Sequence, residues 1–305
     1  MKEKGAIVVI GSSNTDMIVK AGHLPLPGET VLGGQFFTAQ GGKGANQAVA
    51  AARLGGQVTF IAKVGEDQFG DAAIENYLKD GINTQYVTKS PDAASGVALI
   101  LVDGKGENSI AVASGANAEL SEKDIDEAGE IIRSAAIVLM QLESTMDTVL
   151  YAARMAYESG AKVILNPAPA ASIPMELYRY LYAVTPNETE SELLTGVKVT
   201  DENSALKASE VFIGRGVRRV VITMGSKGAF VNDGDKSYMV SALKVKAVDT
   251  TAAGDTYNGA MCVALAEGKT LRESLEFATK ASAIAVTRMG AQPSIPTREE
   301  VDSTI

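Results

Sequence analysis

From Ser121 onward, short β-branched runs exchange regularly with longer helical patterns, and this constrains the fold more than any other feature. Residues 123–134 read as a helix, 136–140 as a strand, 145–159 as a helix and 162–165 as a strand. Residues 181–185 and 219–223 read as further strands, with helices near 188–194 and 204–214. Residues 229–232 and 238–240 read as an antiparallel edge. Short unbroken apolar runs suit strands buried on both faces, and the helices between them supply the cover. The pattern predicts an α/β domain with a doubly wound, mostly parallel sheet. Earlier in the chain, 6–10 and 58–63 read as strands of that sheet, and 71–80 as a helix. An Ala-rich helix is expected over 47–54, stopped by Gly55-Gly56. Four runs break the alternation: 17–19, 29–38, 96–102 and 109–113. The last two flank Asp103-Gly104-Lys105-Gly106, a hairpin signal. The expectation is one domain over 1–305, with a small separate sheet inserted from about 14–40 and 95–114.

Composition narrows the function classes. The chain has 305 residues, 46% hydrophobic and 21% charged, enough for one large core with a small appendage or for two small domains. Net charge is −9 and no basic run is present, which argues against nonspecific nucleic-acid binding. Acidity is no bar to an anionic ligand, because helix dipoles and single lysines hold phosphate locally. The lone Cys262 sits in an apolar helix and has no partner for an intrachain disulfide. The lone His23 lies in a Pro-rich loop without other zinc ligands nearby. Residues 1–4 are charged, but the apolar run 6–10 is too short for a signal segment. No stretch nears the ~18 apolar residues of a membrane span. A reducing cytoplasm and no membrane partner are the expectation.

The chemistry concentrates at Asp249-Thr250-Thr251-Ala252-Ala253-Gly254-Asp255. A strand-like run over 244–248 leads in, and an apolar helix over 257–266 leads out. Such a turn presents the N–H groups of Ala252, Ala253, Gly254 and Asp255 at a helix N-terminus, which favours phosphate. Asp255, among those donors, is expected to stay ionised and able to accept a proton. An anion cradle beside a carboxylate base suits phosphoryl transfer to a hydroxyl. An Asp N-cap after a tight turn fits the same residues.

Gly41-Gly42-Lys43-Gly44-Ala45-Asn46 is neither a Walker A loop nor G-x-G-x-x-G, and by itself reads as a Gly-rich turn into a helix. Asn14 and Asp16 follow the first strand, where open α/β sheets bind ligands. A carboxylate and an amide there can hold neighbouring hydroxyls, or can simply shape a turn. Asn187 and Glu190 stand one helical turn apart, a spacing that suits an outer-shell hold on hydrated Mg²⁺ but is common by chance. Thr223-Met224-Gly225-Ser226-Lys227-Gly228 follows a strand and also reads as a hairpin turn.

Two of these segments carry a family resemblance. Asp249 to Asp255 resembles the D-T-x-G-A-G-D signature of the ribokinase (PfkB) family of carbohydrate kinases, with Ala252 at the first Gly of G-A-G-D, as in the T-A-A-G-D-T form. Gly41 to Leu54 closely resembles the family's G-G-K-G-A-N-Q-A-V-A-A-A-R-L run. The resemblance extends from Val9 to about Pro296. It implies ATP-dependent phosphorylation of D-ribose at the 5-hydroxyl, with Asp255 as base and the Ala252, Ala253 and Gly254 backbone as anion hole. It assigns the sugar to Asn14, Asp16, the Gly42 backbone, Lys43, Asn46, Glu143 and Asp255. It assigns the nucleotide to Asn187, Thr223, Gly225, Ser226, Lys227, Gly228 and Gly254, with Thr279 near adenine where ribokinases often carry Asn. Asn187 and Glu190 would serve Mg²⁺. K⁺ would take the carbonyls of Thr251, Ala285, Arg288 and Gly290 and the side chains of Asp249 and Ser294. The small sheet would be a lid that also forms a homodimer contact. Other family kinases, for deoxyribose, fructose, a keto-deoxy acid or a nucleoside, are the alternative, and Phe36 and Phe37 could serve a nucleoside's base. A Rossmann oxidoreductase lacks its G-x-G-x-x-G after 6–10, and a noncatalytic sugar-binding regulator would not need Asp255.

Overall fold

The computed structural model describes residues 5–304, so the charged start at 1–4 lies outside the described residues. The strands in chain order are β1 Ile7–Ile10, β2 Asn14–Lys20, β3 Gln35–Gly41, β4 Val58–Gly65, β5 Asn83–Ser90, β6 Gly96–Val102, β7 Asn108–Ala113, β8 Ile137–Met140, β9 Lys162–Leu165, β10 Ala183–Val184, β11 Val220–Thr223, β12 Ala229–Asn232 and β13 Ser237–Val240. The helices are α1 Lys43–Arg53, α2 Gln68–Lys79, α3 Glu122–Glu127, α4 Gly129–Ser134, α5 Met146–Glu158, α6 Met175–Tyr178, α7 Glu188–Thr195, α8 Glu202–Gly214, α9 Ala253–Ala266, α10 Leu271–Ala285 and α11 Arg298–Asp302.

Nine strands form one sheet in the order β13-β12-β11-β10-β9-β8-β1-β4-β5. It is parallel from β11 to β5, and β12 and β13 add the antiparallel edge. Alternate side chains of β1 feed the two core layers. Ile7 and Val9 pack with the buried faces of α1, α9 and α10, while Val8 and Ile10 pack with those of α5 and α8. Ile10 lies opposite both Ile61 and Met140, so β1 lies inside the sheet, between β8 and β4, where strand order reverses. Ligands of open α/β sheets bind beyond the C-terminal strand ends at such a reversal.

The second sheet has the order β3-β2-β6-β7. It springs from that same end, because β2 starts at Asn14, four residues past β1, and Asn14 pairs with both Gly41 and Gly96. The hairpin expected around Asp103-Gly104-Lys105-Gly106 is present as β6 and β7.

Several boundaries depart from the sequence reading. Residues 29–34 are not strand, and β3 begins only at Gln35. Gly34 has φ +109°, and a Cβ there would lie 2.2 Å from the Lys20 carbonyl oxygen. Residues 244–248 form no strand either, since the N–H groups of Val248 and Asp249 both go to the Val286 carbonyl, at 2.7 and 3.2 Å. The helix expected over 123–134 is two, α3 and α4, meeting at Ala128-Gly129. Helix α1 starts at Lys43 rather than Gln47. Strand β5 was hidden by its polar sequence, NTQYVTKS, which suits a half-exposed edge. Helix α10, capped by Thr270 and Glu273, was also unanticipated.

Candidate active site

Helix α9 begins at the turn singled out above. Its N-cap, Ala252, has φ +57° and is the one non-glycine residue with positive φ among those described. A left-handed alanine costs about 1–2 kcal/mol, so the surrounding structure holds this turn in place. Not all four N–H groups are free, as the Ala253 N–H donates to the Thr250 carbonyl at 3.2 Å. Those of Ala252, Gly254 and Asp255 have no protein acceptor among the described residues. Beyond the turn, the Ser282 hydroxyl binds the Ala253 carbonyl at 3.1 Å, and Asn258 binds that of Gly254 at 2.9 Å. Residues 252–254 line a cavity of about 200 Å³, together with Lys43, Asn187, Glu190, Thr223 and Asp255.

Asp255 is the third residue of α9, not its N-cap. Its carboxylate takes no bond from its own turn. Instead Oδ2 accepts Asn46 Nδ2 at 3.0 Å and Oδ1 accepts Gln47 Nε2 at 2.9 Å, both from α1. This corrects the expectation that the turn's N–H groups keep it ionised. Burial pushes the Asp255 carboxyl above its ordinary range, with Lys43 and the two amides pulling it back and Glu143 adding to the rise. A buried carboxylate with a raised pKa is a better base than an exposed one.

Lys43 opens α1 and stands among acids. Burial works against its charge, but Asp255, Glu143, Glu190 and Asp16 outweigh that and hold its ammonium above the ordinary lysine range. Its Nζ lies 4.0 Å from Glu143 Oε1, while Glu143 Oε2 accepts the Lys43 N–H at 3.0 Å and the Ser12 hydroxyl at 2.5 Å. Gly42 has φ +88°, and a Cβ on it would lie 2.8 Å from the Asn14 nitrogen. Only glycine lets this turn close against the β1–β2 loop. Asp16 is pushed up from 3.8 to about 6, first by burial and then by Glu143, with Lys43 opposing. Asn117 fixes Asn14. It accepts the Ser13 N–H at 2.8 Å on Oδ1, so its Nδ2 faces Asn14 Oδ1, also at 2.8 Å. Asn14 therefore keeps its own NH₂ as a donor for a ligand.

The remaining residues divide between two places. Asn187 and Glu190 form a capping box on α7, each side chain accepting the other's backbone N–H at 2.8 Å. One oxygen of Glu190 and the Asn187 amide nitrogen have no hydrogen-bond partner among the described residues. Burial raises the Glu190 pKa, with the Asn187 N–H and Lys43 opposing and Asp255 adding to it. No three His, Cys, Asp or Glu side chains form a metal cage among the described residues. The acids around the lone Lys43 nonetheless leave an excess of negative charge. That donor set fits a hydrated divalent ion sharing phosphate ligands.

Thr223 lies on the cavity wall, and Gly225, Ser226 and Lys227 form the turn between β11 and β12, so the hairpin reading holds. A Cβ on Gly228 would lie 2.0 Å from the Val240 carbonyl oxygen. The Lys227 ammonium binds the Thr200 carbonyl at 2.8 Å and lies 3.6 Å from Glu188. Thr279 sits on α10 with its hydroxyl bonded to the Leu275 carbonyl at 2.8 Å.

Asp249 gathers the other group. Its Oδ1 accepts the Thr251 N–H and hydroxyl, at 2.9 and 2.6 Å, and its Oδ2 accepts the Gly290 N–H at 2.8 Å. The Thr251, Arg288 and Gly290 carbonyls accept no hydrogen bond among the described residues, whereas that of Ala285 accepts the Arg288 N–H at 3.0 Å. Ser294 is buried and binds the Ala291 carbonyl at 2.7 Å, while the Arg288 side chain pairs with Glu300. An all-oxygen donor set of this kind fits a hard monovalent cation such as K⁺.

Against known families, residues 4–298 match the pfkB family carbohydrate kinases. The chain belongs to that family. It is 46% identical over 294 residues to a ribokinase of Haemophilus influenzae, with 96% of each chain covered. It is 39% identical over 295 residues to a deoxyribokinase of Salmonella typhi, again covering 96% of each. It matches a solved Arabidopsis thaliana ribokinase complexed with ribose and ATP at TM-score 0.91 and 35% identity, over 97% of each chain. Like its relatives, this pfkB member is an α/β protein with a large, mostly parallel sheet and a small separate one.

The sequence reading missed Ser12, Gln47, Asn117 and Asn166. Ser12 and Asn166 lie just beyond β1 and β9, where the rule for strand ends points, and Gln47 lies within α1. Asn117 follows no such strand end and carried no signal.

Proposed function

We propose that this kinase transfers the γ-phosphoryl group of ATP to the 5-hydroxyl of D-ribose, giving D-ribose 5-phosphate and ADP. The observation that carries the reading is the buried Asp255 carboxylate beside unclaimed N–H groups of the α9 turn, with Lys43 on the same cavity. Asp255 takes the hydroxyl proton as the sugar oxygen attacks the γ-phosphorus and the bond to ADP breaks. The Ala252, Gly254 and Asp255 N–H groups and Lys43 stabilise the charge on the transferring oxygens. Asn14, Asp16, the Gly42 backbone, Lys43, Asn46 and Glu143 hold the sugar's hydroxyls. Thr223, the turn after it and Thr279 receive the nucleotide.

Asn187 and Glu190 would hold hydrated Mg²⁺, which would offset the negative charge of the phosphates. K⁺ near Asp249, Thr251 and the Ala285 to Ser294 segment would order the turn. The second sheet serves as a lid on a single domain and as the contact of a homodimer, in a cytoplasmic enzyme without nucleic-acid or membrane partners. No helix among the described residues is long and apolar enough to cross a membrane.

A second reading, with 2-deoxyribose as the acceptor, is favoured by the likeness to the Salmonella deoxyribokinase. A kcat/KM panel with Mg-ATP decides. The proposal expects ribose to exceed deoxyribose by more than ~10-fold, because a site built to bond a hydroxyl rejects the analogue lacking it. Equal values, or a preference for deoxyribose, favour the second reading.

A further inference from the structure

Gln47 follows Asn46 on α1 and is wholly buried. Its amide makes three hydrogen bonds, and the surroundings dictate which end points where. The Thr185 carbonyl can only accept, so Asn166 meets it with Nδ2, at 3.0 Å. Asn166 Oδ1 therefore faces Gln47 and accepts its Nε2 at 3.0 Å. The second hydrogen on that nitrogen reaches Asp255 Oδ1 at 2.9 Å. Gln141 Nε2 closes the set by donating to Gln47 Oε1 at 2.5 Å. A backbone carbonyl just past β10 thus fixes, through two side-chain amides, which atom of Gln47 meets the carboxylate. A flipped Gln47 would set its oxygen against Asp255 and against Asn166 Oδ1 at once.

We propose that Gln47, oriented by Asn166, is a positioning residue for Asp255, holding its carboxylate in place as an acceptor with a fixed hydrogen bond. This rests on the role given to Asp255 above. A hydrogen bond to the charged form of an acid favours that form. The other groups acting on Asp255 are Lys43 and Asn46 from α1, Glu143 beyond β8 and Glu190 from α7. Asn46 and Lys43 favour its ionised form, and Glu143 and Glu190 oppose it. Gln47 strengthens the favourable side without adding a charge. It reaches Asp255 from the buried side and needs no ligand to do so.

The test uses the full chain with Gln47→Met, which keeps volume but loses the donor, and Gln47→Glu, which keeps shape but turns an oxygen toward Asp255. Asn166→Ser removes the orienting amide at the cavity wall and stands in should the Gln47 variants fail to fold. Asp255 is titrated by NMR of ¹³C-carboxyl aspartate, assigned by comparison with Asp255→Asn. The pH profile of kcat is measured with both substrates saturating. In Gln47→Met, Asp255 should titrate at higher pH than in wild type, and at higher pH still in Gln47→Glu. Asn166→Ser should move it less, in the same direction. Turnover of Gln47→Met should fall about tenfold or more below wild type at the acid end and approach it above neutrality. An unmoved Asp255 titration overturns the proposal, as does a loss of turnover that is equal at all pH values. If wild type phosphorylates no sugar, the functional reading fails, and the NMR titration alone still decides whether Gln47 acts on Asp255.

Discussion

In the nine-stranded sheet every residue of β1 and β8 is buried, whereas in the four-stranded sheet every residue of β7 is exposed. The first is covered by helices packed on both faces. The second leaves Phe36, Leu99, Ile110 and Val112 more than half exposed. Yet its root, at Asn14, Gly41 and Gly96, is buried against the body and carries polar groups fixed by hydrogen bonds. The large sheet and its helices carry Lys43, Asp255 and the α9 turn, and the small sheet is polar at its root and apolar where it leaves the body. That division is the one the proposed lid and homodimer contact require.

The largest effect that sharpens this contrast lies on the buried side. Asp255→Asn should lower turnover by roughly 10²–10⁴-fold or more while leaving nucleotide binding and fold intact, since the amide is nearly isosteric but cannot take the proton. Steady-state kinetics beside calorimetric nucleotide binding tests this, and near-normal turnover removes Asp255 from the mechanism. Next in size is the cost of truncating a phenylalanine. Phe230→Ala, at a fully buried position of β12, should cost about 3–5 kcal/mol, whereas Phe36→Ser should change monomer stability by less than about 0.5 kcal/mol. Phe36→Ser should instead weaken self-association. Denaturant melts with sedimentation of both variants check the pair, and equal destabilisation would break the comparison.

A smaller effect sits at the junction of the two sheets. Asp16 is raised from 3.8 to about 6, so the folded state binds its proton more tightly than the unfolded chain does. The resulting penalty is absent below about pH 4, develops between there and pH 6 and is fully present above. Asp16→Asn should therefore raise stability at pH 7 by about 1–2 kcal/mol after discounting for partial exposure, and by nothing near pH 3.5. It should also raise the KM for the sugar. A melting temperature unchanged at both pH values contradicts the raised pKa. The smallest effect belongs to Ala252, where Gly removes left-handed strain but adds unfolded-state freedom, for a net gain of at most about 1 kcal/mol in denaturant melts.

What could be read in advance follows the same line between local and distant causes. Buried strands announce themselves as short β-branched runs, and loops follow their ends, so Asn14 and Asp16 stand out in sequence, while Asn187 shows through its spacing to Glu190 and Glu143 only through the family resemblance. The Gly42 turn and the α9 turn were legible because small residues mark close backbone approach. Strand β5 was not, because an edge strand needs little apolar surface. Nor were the partners of Asp255. Its donors were expected in its own turn, but they come from α1, over 200 residues away in the chain. Buried amides such as Gln47, Asn117 and Asn166 look like surface residues until the fold supplies their partners. The break between α3 and α4 likewise shows only once packing selects it.

The most direct measurement is ³¹P NMR of the product formed by the wild-type protein from D-ribose and Mg-ATP in K⁺ buffer. The account predicts ADP and one sugar phosphate in equal amounts, with the phosphorus coupled to the two protons on C5. A phosphate on C1, or ATP consumed with no sugar phosphate formed, would contradict it.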